Sequence, residues 1–397
     1  MLKILFVDDQ PSVLEDTQRA TEDMRHQWDM TFVTSADEAM ELLDREAFDV
    51  VVSDMRMPGT DGAELLFLVR NCSPSTARII LSGCDEDEMI FRSTRVAHQF
   101  LTKPCDVDML KSAIAEIRAA QGRVSSEEIR ALIGRVDQLP ALGEVYQRLV
   151  RAIEAEESSA RLAEIVCEDV ALTAEILRLL NSAFFGLARR VESVEQAIGL
   201  LGTDVLRAIV AGYSVFSQPG SLVVDADVVS RRSQQVAALA RHAHRILTGA
   251  SRSELADVYL AGMLHEVGAL VLGSIEGMDP VDARGVLNSN DNTVERLAFG
   301  VDRFAVSSYL LGLWAFSSEV IQAVASLSGR VEPPMTSMGW SLAVARHIIV
   351  NNLAEELEEV DADAIEALIR SVDEQLLAAA PPTPLPDPET SVSGALI

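Results

Sequence analysis

The sequence predicts a chain of two parts: an α/β domain on a five-stranded parallel, doubly wound sheet over residues 1–120, then an all-α domain. Three observations lead there. The first 120 residues alternate short apolar runs with stretches of helical period. From Leu139 to about Gln375 the apolar residues recur with a 3.6-residue period and almost never alternate. And 397 residues exceed one ordinary domain, while 48% hydrophobic residues supply material for more than one core.

In chain order, residues 3–7, 30–33, 50–53, 78–81 and 99–101 read as strands. Helical periods follow, clearest over 35–46, 61–71 and 106–119. Parallel sheets of this kind place their ligands beyond the carboxyl ends of the strands. A connector spans 121–137, where Ser125 followed by Glu128 predicts a capping box opening a helix. Residues 138–352 form the helical domain, 353–380 a C-terminal helix, and the proline-rich 381–397 a disordered tail.

The charge of −28 narrows the partners. With 12 basic and 23 acidic residues, 1–122 carry −11, so the remainder carries −17. Neither part offers a basic footprint for nucleic acid, and both discourage adsorption to anionic lipid. The apolar run 197–216 is broken by Asp204 and Arg207 and reads as buried helix rather than a membrane span. The N-terminus does not read as a signal peptide. Cys72, Cys84, Cys105 and Cys167 show no CxxC spacing and read as free thiols of a reducing cytoplasm.

The chemistry concentrates at strand ends. Asp8 and Asp9 close the first strand and Asp54 the third. If those strands are neighbours, three carboxylates meet above one sheet edge, and a hard divalent cation with oxygen ligands, Mg²⁺, relieves their repulsion. Asp54 is then placed as a nucleophile toward a phosphoryl group, forming an acyl phosphate. The turn MRMPGTDG would present the Arg56 carbonyl to the metal. Ser82 offers a hydroxyl and Lys103 a point charge to the phosphoryl oxygens. Lys103 is one of three lysines beside thirty arginines, and the bond to Pro104 could be cis and aim it.

In order and spacing, VDDQ, SDMRMPGTDG, LSG and LTKP resemble the receiver domain of two-component response regulators, a flavodoxin-like fold, over all of residues 1–120. The resemblance implies that Asp8 and Asp9 hold Mg²⁺, Asp54 is phosphorylated by a sensor histidine kinase or phosphotransfer protein, and Ser82 and Lys103 sense the phosphate. Phe100 would be an aromatic switch that turns inward as Ser82 moves, though an aromatic at a sheet edge also reads as core. Dimerisation through the later receiver helices is a further implication.

The helical part, through NSAFFG and SVEQAIGLLG above all, resembles the HDOD family, the HD-related output domain. True HD hydrolases hold one or two metals with a His…His-Asp…Asp set. Here the centre reads His265-Glu266, Arg232 and Ser233 stand at the first histidine's place, Arg303 precedes the LLGLW helix, and ASLSG lacks histidine. His242 and His244, two apart, point to different helix faces and cannot share an ion, and HEVGA does not fit HExxH. One His-Glu pair is too few ligands for a metal, so His265 reads as a hydrogen-bonded core residue. Trp314, Phe184 and Phe185 read as core. The expectation is a non-catalytic, cofactor-free output domain that binds a downstream signalling protein. The alternatives are a receiver-controlled phosphodiesterase or a metal-free nucleotide-binding domain using Arg232 and Arg303.

Overall fold

The computed structural model describes residues 1–82, 96–103, 105–135, 143–181, 193–200, 206, 224–275, 280–289, 291–328 and 335–351. Cys84, Phe184, Phe185, Pro104, the expected C-terminal helix and the tail lie outside the described residues.

Five strands, β1 (Leu2–Val7), β2 (Trp28–Val33), β3 (Val50–Asp54), β4 (Ala77–Ser82) and β5 (Gln99–Thr102), form one parallel sheet in the order β2-β1-β3-β4-β5. Each expected strand is present within two residues of its bounds. Alternation along the strands sorts the sheet's two faces into two cores. Ile4, Phe6, Val52 and Ile79 point into one; Leu5, Val7, Val51, Ile80 and Phe100 point into the other.

The receiver-like part carries α1 (Pro11–Ala20), α2 (Ala36–Leu43), α3 (Gly62–Cys72) and α4 (Val107–Gln121) among the described residues. Side chains cap three of them: Ser35 accepts from Glu38 N, Asp61 from Glu64 N and Asp106 from Asp108 N. The connector helix α5 (Glu127–Gly134) starts one residue later than the expected capping box. Its N-cap is Ser126, whose hydroxyl accepts from Ile129 N, while Glu127 and Glu128 occupy the first turn. That shift places Ile129, not a Glu or Gln, at the third helical position. The reciprocal bond of a capping box has no partner there, and the two glutamates act on the helix dipole instead. A capping box does occur at Ser251 and Glu254.

The rest of the described residues are mainly helical: α6 (Gly143–Glu154), α7 (Ser159–Cys167), α8 (Val170–Asn181), α9 (Ala226–Thr248), α10 (Arg252–Leu264), α11 (Val267–Leu272), α12 (Pro280–Asn288), α13 (Asn292–Phe299), α14 (Arg303–Leu313), α15 (Ser318–Ser326) and α16 (Ser337–Val350). Residues 194–200 add a further helical run. α9 packs on α10 and α16, and α14 on α11 and α15. The stretch 252–272 is long and apolar enough to cross a membrane, but its most apolar window is 78% buried inside the protein.

The two parts share one continuous apolar cluster. Ile114, Ile117 and Ala120 of α4 and Ile133 of α5 belong to the same buried group as Tyr309, Leu310 and Leu313 of α14. α4 lies directly on α14, so closely that a Cβ on Gly312 would stand 2.6 Å from the Ala120 Cβ. Glycine at 312 is what permits this approach.

Candidate functional site

Asp8 and Asp9 directly follow the last residue of β1, and Asp54 is the last residue of β3, the strand beside β1. Carboxylate oxygens of all three lie within 4.8 Å of one another. Asp8 and Asp54 are buried and Asp9 is half-buried. Lys103, just past β5, reaches back between two of them: its Nζ lies 2.7 Å from Asp8 Oδ2 and 2.6 Å from Asp54 Oδ1.

The backbone fixes this geometry. Met55 N donates to Leu81 O and Lys103 N to Ser82 O, tying the ends of β3, β4 and β5 together. Gln10 N donates to Asp8 Oδ1 at 3.0 Å. A Cβ on Gly62 would lie 2.0 Å from the Asp54 carbonyl oxygen, so α3 can start this close to the site only with glycine there.

Among the described residues, charge in the pocket is out of balance: three carboxylates face one ammonium. Burial pushes the Asp54 carboxyl upward from its ordinary value, Lys103 opposes this, and Asp8 adds to it. For Lys103, burial pulls downward, but its bonds to Asp54 and Asp8 outweigh that and the net shift is upward. Such a site favours a divalent cation, which adds positive charge where a single lysine leaves a deficit.

Ser82 is fully buried at the end of β4. Arg56 is exposed in the turn after Asp54. Phe100 is 2% exposed and packs inward with Ile80, Val96 and Ala97. The structure thus gathers Asp8, Asp9, Asp54 and Lys103, sets Ser82 on the neighbouring strand end, and leaves Phe100 in the core behind them.

In the helical part, His265 and Glu266 form the corner between α10 and α11. Ser307 of α14 clamps it, donating to His265 O at 2.7 Å and accepting from Gly268 N at 2.8 Å. His265 is fully buried, with Nδ1 2.6 Å from Gly262 O. A carbonyl only accepts, so Nδ1 carries the proton and Nε2 presents a lone pair. Burial pushes the imidazole down to about 4, so it is neutral at physiological pH.

Glu266 does not face open space. Arg232 Nε and Nη2 both lie 2.6 Å from its Oε2, and Arg303 Nη1 lies 3.2 Å from its Oε1. Burial would raise the Glu266 carboxyl, but Arg232 and Arg303 outweigh it and hold it at about 2. Arg303, 1% exposed, also binds Glu295 of α13 through Nε and Nη2, and donates to Leu287 O. Arg346 of α16 lies over the Phe304 ring. Sequence reasoning singled out Arg232, Arg303, His265 and Glu266 but missed Glu295 and Arg346. The available signal was a charged residue inside an otherwise apolar helix, as in WSLAVARHIIV.

His244 is buried and pairs with Ser341 Oγ at 3.1 Å, while His242 is half-buried beside Arg245. They occupy different faces of α9, as their spacing predicts. Trp314 is buried in the main core.

Comparison with known proteins agrees with both parts. The family model for the response regulator receiver domain matches residues 4–115, and that for the HDOD domain matches residues 139–328. Hydrogenase transcriptional regulatory protein HoxA of Cupriavidus necator is 37% identical over 116 residues, which is 28% of this chain and 24% of HoxA. Response regulator protein PilR of Pseudomonas aeruginosa is 28% identical over 154 residues, 38% of this chain and 34% of PilR. The chain thus spans only about a quarter to a third of these relatives' length. Among solved structures, the MmoQ response regulator from Methylococcus capsulatus str. Bath aligns with 61% of this chain and 98% of its own at 24% identity and a TM-score of 0.48. A receiver domain of an HD domain-containing protein from Pseudomonas fluorescens Pf-5 aligns with 30% of this chain at 28% identity and a TM-score of 0.29. With both family models matched in sequence, the chain belongs to the response regulators, a receiver domain followed by an HDOD domain.

Proposed function

We propose that this protein accepts a phosphoryl group on Asp54 from a histidine kinase or phosphotransfer protein and passes the signal to a non-catalytic HDOD output. The observation that carries the reading is the cluster of Asp8, Asp9 and Asp54 with Lys103 between two of them. In the transfer, an Asp54 carboxylate oxygen attacks phosphorus, an O–P bond forms, and the donor's N–P bond breaks with its electron pair staying on nitrogen. Lys103 then trades its contact with the Asp54 carboxylate for the phosphoryl oxygens, and the Ser82 hydroxyl donates to another. Asp8 and Asp9, with Asp54 and the Arg56 carbonyl, would hold Mg²⁺. When bound it offsets the charge on the phosphoryl oxygens.

The new charge lies at the ends of β3, β4 and β5, and β5 leads through Lys103 into α4. Since α4 packs on α14, a shift of Lys103, Ser82 and Phe100 has a short route to the HDOD domain. The output reads as a binding function because of its donor set. The carboxylate of the His265-Glu266 corner is held by Arg232 and Arg303, which leaves one imidazole nitrogen as a ligand, fewer than a hydrolytic metal centre needs. A downstream signalling protein is the partner this reading implies, and the unpaired Cys72, Cys105 and Cys167 suit a reducing cytoplasm.

The test is intact mass after incubation with acetyl phosphate, with Mg²⁺ and with EDTA. One phosphoryl group gained only with Mg²⁺ is the expected result. No gain with Mg²⁺ from acetyl phosphate or from a panel of histidine kinases would refute phosphoryl acceptance.

A further inference from the structure

Buried charges persist in folded proteins when they are paired, because an uncompensated one forfeits its hydration. Around the α10–α11 corner the pairing does not close. Among the described residues, Glu266 and Glu295 face Arg232, Arg303 and Arg346, so three guanidinium groups share two carboxylates. Arg232 and Arg303 take the carboxylate contacts. Arg346 has buried Nε and Nη2 atoms with no hydrogen-bond partner among the described residues. Those two nitrogens form one edge of the guanidinium, the edge that grips two oxygens of an oxyanion at once.

A second unsatisfied group lies against the ring that Arg346 covers. His265 stacks on Phe304 at 6.0 Å between centroids, and the Arg346 guanidinium lies 4.7 Å from the centroid of the same ring. His265 Nε2 is buried without a partner, and its Nδ1 is committed to Gly262 O. A donor edge and a lone-pair acceptor thus belong to residues that contact the same phenyl ring, and the Arg346 charge is felt at His265. Burial pulls Arg346 down to about 10, against the pull of Glu266, which leaves it charged at neutral pH. Arg232, whose side chain is 16% exposed, marks the side open to solvent.

We propose that Arg346, His265 and Arg232 form an oxyanion site that takes the phosphate group of a small phosphorylated ligand. Phosphate fits better than the alternatives. A carboxylate or sulfate offers oxygens to Arg346 but no hydrogen to His265 Nε2. A hydrogen phosphate, or a phosphate ester with a neighbouring hydroxyl, offers both. A metal cation is disfavoured by the guanidinium groups that already occupy Glu266. The site rests on the non-catalytic reading of the HDOD domain and is independent of chemistry at Asp54.

The experiment is thermal unfolding of the full chain in EDTA, with inorganic phosphate, sulfate or chloride at matched ionic strength, for wild type, Arg346→Met and Asp54→Ala. Phosphate raises Tm through general salt effects in every variant, so the readout is the excess of phosphate over sulfate. Wild type and Asp54→Ala are expected to show that excess, and Arg346→Met to lose it. Without phosphate, Arg346→Met is expected to melt no lower than wild type, since it removes two buried guanidinium nitrogens that have no partner among the described residues. Should Arg346→Met fail to fold, Arg346→Lys decides, because it keeps the charge and lacks the two-nitrogen edge. An equal excess in the Arg346 variant and wild type, or none in wild type, overturns the site. Loss of the excess in Asp54→Ala overturns it too, by placing the phosphate in the receiver domain.

Discussion

The acidic pocket at the sheet edge and the arginine cluster at the α10–α11 corner leave charge unbalanced in opposite directions. In the receiver pocket three carboxylates share one lysine, and Asp54 is pushed upward by burial and by Asp8. In the HDOD corner three arginines share two carboxylates, and Glu266 is held at about 2. The first arrangement is deficient in cations and the second in anions. The receiver pocket sits at strand ends, open enough for Asp9 to be half-buried; the Glu266 side chain is 0% exposed. Removing a carboxylate should therefore relieve the first site and damage the second.

The largest effect is expected from Glu266→Gln. Breaking a buried ion pair by removing one partner costs about 3–5 kcal/mol, here because Arg232 and Arg303 would lose their shared carboxylate. Asp54→Asn should cost the receiver domain no stability, since it removes one of the crowded carboxylates. Urea unfolding of the two variants compares them, and equal losses would break the contrast.

The pH dependence sharpens it. His265 has a folded value of about 4 against an ordinary 6.5, so the unfolded chain takes up its proton first as the pH falls. Its contribution to stability is complete above pH 6.5 and is lost down to about pH 4, roughly 3 kcal/mol in all. Glu266, lowered from 4.5 to about 2, adds a second loss over that lower window. Asp54 is raised, so its contribution has the opposite sign and grows as the pH falls. Acid melting curves should show the HDOD transition falling below pH 6.5, with His265→Gln flattening the upper part of the fall.

The contact joining the two regions is next. Gly312→Ala should cost about 1–3 kcal/mol by overpacking against Ala120, and Ala120→Gly in the same chain should restore part of it. The smallest effect tests the connector: Ser126→Ala should cost about 1 kcal/mol and Ser125→Ala almost nothing.

Much of the receiver was readable because its signals are local. Each strand is a short apolar run, and each functional residue directly follows one, so strand ends brought Asp8, Asp54, Ser82 and Lys103 together once β1 and β3 were neighbours. The N-cap at Ser126 was misjudged by one residue because two adjacent serines offer the same hydroxyl, and tertiary packing sets which one starts the turn. The arginine cluster was only half readable. Glu266 and Arg346 stand 80 positions apart, one at the α10–α11 corner and the other on α16. Nothing in a 3.6-residue period tells which charged residue on an apolar helix turns inward. The salt-bridge network around Glu266 needed the fold.

The most direct measurement is a peptide map of the chain phosphorylated by acetyl phosphate, beside Asp54→Ala treated identically. The expected result is one phosphate, labile to hydroxylamine as an acyl phosphate is, on the peptide carrying Asp54 and absent from the variant. A phosphate on another residue, or uptake unchanged in Asp54→Ala, would contradict the reading of the acidic pocket.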